Sequence, residues 1–74
     1  MSARIKRVED MGKWLILKAA LIEHGYKAWQ SQYGVNSPEG YHVTFSADGK
    51  EVEVVTHNSD IAADISKSNL WVSL

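Results

Sequence analysis

His42 and Glu53 are the two side chains of this sequence best spaced for chemistry. The stretch "YHVTFSA", Tyr41 to Ala47, alternates strictly. Tyr41, Val43, Phe45 and Ala47 face one way, and His42, Thr44 and Ser46 face the other. Asp48-Gly49 follows, and both positions tolerate positive φ, which predicts a two-residue hairpin turn. That turn sets the register. Phe45 falls opposite Val52, Val43 opposite Val54 and Tyr41 opposite Thr56. On the outer face Ser46 meets Glu51, Thr44 meets Glu53, and His42 meets Val55 with Glu53 diagonally across. A neutral imidazole beside a carboxylate can serve as a general base near neutral pH. The plainer reading is a polar residue on a solvated strand face.

Other candidate chemistry is sparse. His24, His42 and His57 stand on three different elements without ligand spacing, so no metal site is expected. No nucleophile–base–orienter set, phosphate-cradling glycine loop or nucleotide fingerprint is legible. No cofactor is expected, and the reading leans away from an enzyme. Lys18 is the odd residue of the first helical stretch, because it falls inside the apolar arc. Either its stem lies on the core with the amine reaching water, or the cation meets a partner's carboxylate or phosphate. Trp14, Trp29 and Trp71 are core material by bulk. An exposed one would anchor an interface, and Trp71 is the choice for that role. The carboxylates of Glu51, Glu53, Asp60 and Asp64 would suit a basic partner.

These side chains need elements to hold them. A helix is expected from about Val8 to His24, with Met11, Trp14, Leu15, Leu21 and Ile22 at helical spacing. Glu9 and Asp10 would sit in its first turn, where negative charge suits the dipole, and Gly25 would stop it. "YKAWQSQY", Tyr26 to Tyr33, reads as a strand with Trp29 and Tyr33 on one face. "GVNSPEG", Gly34 to Gly40, reads as a loop. After the hairpin, "NSDIAADISKS" opens a second helix capped by Asn58 or Ser59. Leu70, Trp71, Val72 and Leu74 are too apolar to dangle. The expected fold is α+β: a three-stranded antiparallel sheet with helices on one face. Its order is α-β-β-β-α plus a short apolar C-terminal segment, and residues 1–74 form a single domain.

Seventy-four residues without cysteine leave a thin stability margin, which a homodimer would widen. The longest apolar run, Trp14 to Leu17, is too short to span a bilayer, and no signal-peptide pattern is present. A cytoplasmic location is expected. Residues 1–30 carry six basic and three acidic side chains, and residues 31–74 carry two and six. Arg4, Lys6, Arg7 and Lys13 are thus the candidate contacts for a nucleic acid.

The segments "ALIEHGY", "GYH", "DGKEVEVVTHN" and "DI" follow one another across roughly residues 18–66. In this order the chain resembles the HicA toxins of bacterial toxin–antitoxin pairs. Its α-β-β-β-α order is also similar to that of double-stranded-RNA-binding domains. The HicA resemblance implies cleavage of messenger RNA, with His42 as counterpart of the family's histidine. Tyr41 stands where that family has serine. The leading expectation is a small non-enzymatic interaction module, of the kind of a bacterial or phage accessory factor, that binds a protein partner or itself. The alternatives are the HicA-like ribonuclease using His42 and a nucleic-acid-binding module using the basic N-terminal residues.

Overall fold

The computed structural model describes residues 4–36, 38 and 40–72. Leu74, expected to pack with the apolar tail, lies outside the described residues. The elements are β1 (Arg4–Arg7), α1 (Met11–Glu23), β2 (Lys27–Asn36), β3 (Gly40–Ala47), β4 (Lys50–Thr56) and α2 (Ser59–Lys67). They make an α+β fold. The sheet has the order β1-β4-β3-β2 and is mixed, because β1 runs parallel to β4 while the other pairs are antiparallel.

The expected three antiparallel strands and the α-β-β-β-α order are therefore corrected to β-α-β-β-β-α. The missed strand is "RIKR", whose four residues are all exposed and show no apolar alternation. It exists because β4 offers it an edge, with Arg4 opposite Val52 and Arg7 opposite Val55. The charges on β1 also discourage a further strand from pairing beyond it. At the other edge, the Ala28 N–H donates to the Leu70 carbonyl and the Val72 N–H donates to the Ala28 carbonyl. The apolar tail is thus a minimal fifth strand bridged to β2 at Trp71.

The β3–β4 register agrees with the sequence pattern at all six expected pairs, from Tyr41–Thr56 to Ser46–Glu51. Asp48 and Gly49 take φ values of 47° and 79°, as a primed turn requires. One row of the hairpin, Val43, Phe45 and Val54, is fully buried and packs with Trp14 and Leu21 of α1 and Ile61 and Ile65 of α2. Both helices therefore cover that face. The opposite row carries His42, Thr44, Ser46, Glu51 and Glu53.

Two boundaries shift. Helix α1 starts at Met11, because the Asp10 side chain accepts from the Lys13 N–H and so forms the N-cap. Glu9 lies before the helix and not in its first turn. Strand β2 continues through Gly34, Val35 and Asn36, which were expected in a loop. They pair with His42, Tyr41 and Gly40. A register shift between Ala28 and Tyr33 absorbs the extra residues, so both fall opposite core residues, Phe45 and Val43. Trp29, next to Ala28, is exposed and out of phase with Tyr33, which corrects their expected common face.

Candidate functional site

The polar pair expected on the sheet is present. The His42 Nδ1 atom lies 3.2 Å from Glu53 Oε2, and each side chain is 29% exposed. The approach is out of line for a hydrogen bond, so Nδ1 is shielded from water without a hydrogen-bond partner. The other ring nitrogen lies over Gly34. A Cβ built there would come within 3.1 Å of Nε2, so the missing side chain makes room for the imidazole. A carboxylate at this distance can orient a histidine base only when it comes into line for a hydrogen bond with the ring.

The four carboxylates proposed for a basic partner do not share a surface. Glu51 and Glu53 lie on the face of the sheet away from the helices, opposite Ser46 and Thr44. Asp60 and Asp64 lie on α2, against the covered face. Asp64 is already engaged. Its Oδ2 accepts from the Trp14 indole N–H at 2.7 Å and from Lys18 Nζ at 3.0 Å. The indole bond first, and then Lys18, holds its carboxyl below the usual range. Lys18 thus joins the two helices, and its amine meets a carboxylate of its own chain.

Trp71 is half-buried. Its indole N–H is shared between the Ile65 and Ser66 carbonyls, and its ring meets Tyr33 edge-on at 5.8 Å. It borders an open hollow with Lys27, Ser68, Asn69 and Val72. Among the basic residues, Arg4 and Lys6 are exposed on β1, and Lys13 is exposed on the first turn of α1. Arg7 instead donates to Glu9 at 3.1 Å.

Two features escaped the sequence. The first is a junction at Glu9. Its Oε1 accepts from the His57 backbone N–H at 2.8 Å and from the Thr56 hydroxyl at 3.3 Å. Its Oε2 lies 3.1 Å from His57 Nδ1. Partial desolvation raises the Glu9 pKa, but the backbone and ring bonds of His57 and the Arg7 guanidinium overcome it and bring the carboxyl to about 2. His57 Nε2 donates to the Pro38 carbonyl, and this bond, with Glu9 behind it, raises the imidazole pKa. Both ring nitrogens are occupied in holding together the end of β4, the β1–α1 connection and the β2–β3 connection. No spacing pattern joins residues 9 and 57, so nothing local could have revealed the junction.

The second is the outward side of α1. Trp14 and Leu21 are buried, but Leu15 and Ile22 are each 49% exposed and Ile16 is 75% exposed. The apolar arc expected to face the core contained Leu15 and Ile22. The helix is turned so that both leave it, with Gly12, Ala19 and Ala20 exposed beside them. The signal was present in the composition, because a helix apolar on both sides cannot bury both against one sheet.

No protein-family profile, curated protein or solved structure matches this chain. Among the described residues, no helix is long and apolar enough to cross a membrane, and no group of three histidine or acidic residues is placed to hold a metal ion.

Proposed function

We propose that this chain is a small interaction module that docks a protein through the outward face of α1. One observation carries the reading: Leu15, Ile16 and Ile22 stand exposed on a helix whose other side is committed to the core. Single exposed apolar residues are ordinary, but a contiguous stripe on one helix marks a binding surface. Docking by such a stripe follows the helix-against-helix mode of recognition. A photo-crosslinking residue placed at Ile16 in the native host is expected to give a discrete adduct. The same residue placed at Glu51, on the far side of the sheet, is expected to give none. No adduct from position 16, or equal adducts from both, overturns the reading.

The closeness of Glu53 to His42 supports a second reading, a HicA-like ribonuclease in which Glu53 would turn into line with Nδ1 and orient His42 as the base. Expression would then arrest growth, and His42→Ala would relieve the arrest while leaving the fold intact. Equal toxicity in the variant, or none in the wild type, removes it.

A further inference from the structure

Helix α1 presents a self-complementary face. It runs from Met11 to Glu23, about 20 Å of helix. Its outward stripe is Gly12, Leu15, Ile16, Ala19, Ala20 and Ile22. Lys13 lies at one end of that stripe and Glu23 at the other. Both are exposed, and among the described residues neither forms an ion pair. If the stripe is turned end for end about a level between Lys18 and Ala19, Leu15 falls opposite Ile22, while Ile16 comes level with Ala20, and Lys13 with Glu23, to within one residue's rise, about 1.5 Å.

Resting on the docking reading above, we infer that the occupant of this face is a second copy of the same chain, packed helix against helix and antiparallel about a two-fold axis. A two-fold interface must be complementary to itself, and this stripe is so in both shape and charge. The large residues Leu15, Ile16 and Ile22 alternate with small ones at Gly12, Ala19 and Ala20, which lets two backbones approach and the large side chains interdigitate. The unlike charges at the two ends oppose a parallel arrangement, which would place lysine beside lysine and glutamate beside glutamate. A chain of 74 residues with no disulfide also has apolar area to gain from association.

The purified full chain is tested by sedimentation equilibrium over a concentration series, with the fold followed by circular dichroism. Wild type is expected to reach twice the monomer mass. Ile16→Glu is expected to remain monomeric with an unchanged spectrum. Lys13→Glu alone and Glu23→Lys alone are each expected to raise the dissociation constant several-fold. The double swap, which restores unlike charges across the axis, is expected to recover most of that loss. A wild-type monomer at every concentration overturns the inference, and so does a dimer indifferent to both Ile16→Glu and the charge swaps. The crosslinker at Ile16 separates the two failures. An adduct whose mass is not that of two copies sinks the dimer and leaves the docking reading standing, whereas no adduct sinks both.

Discussion

The Trp14 indole N–H and the Asp64 carboxylate meet at 2.7 Å across the seam between α1 and α2. Trp14 is completely buried and stacks on Phe45, with ring centroids 6.4 Å apart. Its one polar atom therefore depends on a carboxylate near the surface that also receives Lys18. Asp64 is in this way the polar pin between the two helices, and its removal would be felt in the core.

Asp64→Ala leaves the indole N–H without its acceptor and Lys18 without its counter-ion. Stranding a buried donor costs about 1–3 kcal/mol. Each kcal/mol lowers the melting temperature of a domain this size by about 4–8 °C. Lys18→Met, which keeps the stem and leaves the indole bond in place, is expected to cost less than half as much. Thermal melts of the two variants check this ordering.

Gly40 opens β3 at a φ of 91°, and a Cβ there would stand 2.6 Å from the Thr56 carbonyl oxygen. Backbone has no room to retreat, so Gly40→Ala combines strain with collision and is expected to cost at least about 2 kcal/mol. Gly49 has a φ of 79° but nothing within 4 Å of such a Cβ. Gly49→Ala incurs only the backbone term, about 1 kcal/mol. Urea unfolding of both variants measures the difference.

Stability should pass through a maximum with pH. The carboxyl of Glu9 is depressed to about 2, so its contribution is complete above the ordinary value of 4.5 and is lost as the pH falls toward 2. Asp64, also depressed, steepens the same acid limb. The pKa of His57 is raised above 6.5, so its contribution is complete below 6.5 and disappears as the pH rises through the raised value. Melting temperature against pH is expected to flatten on the acid side in Glu9→Gln. Direct proton titration of the His57 ring should give a midpoint above 6.5.

Below that midpoint the His57 ring carries both protons. Nε2–H donates to the Pro38 carbonyl and Nδ1–H donates to Glu9. Above it Nδ1 is bare and accepts from Arg7, whose Nη1 is 3.0 Å away. The neutral ring is therefore expected to remain in the Nε2–H tautomer, which nitrogen chemical shifts report directly.

The hairpin could be read in the sequence because strict alternation and an Asp-Gly turn leave one register that buries Val43, Phe45 and Val54. The second helix was legible for a similar local reason, with Asn58 accepting from the Asp60 and Ile61 N–H groups. What was missed depends on distant partners. Strand β1 has no apolar period of its own and is defined by the edge of β4. Strand β2 hides its phase behind the irregularity between Ala28 and Tyr33. Helix α1 is apolar around most of its circumference, so periodicity could not decide which side Leu15 and Ile22 would take. His42 and Glu53 were placed correctly beside one another because both belong to the legible hairpin.

The parallel seat of β1 also constrains the order of assembly. Arg4 to Arg7 are synthesised well before residues 52–55, the rail they must lie along. Once the hairpin is finished, and until β1 docks, it carries a bare flank at β4 that any extended peptide nearby could occupy. The N-terminal ribbon thus arrives late to a place prepared by others. Slow folding, and loss of nascent chains to strand exchange, would begin at this flank.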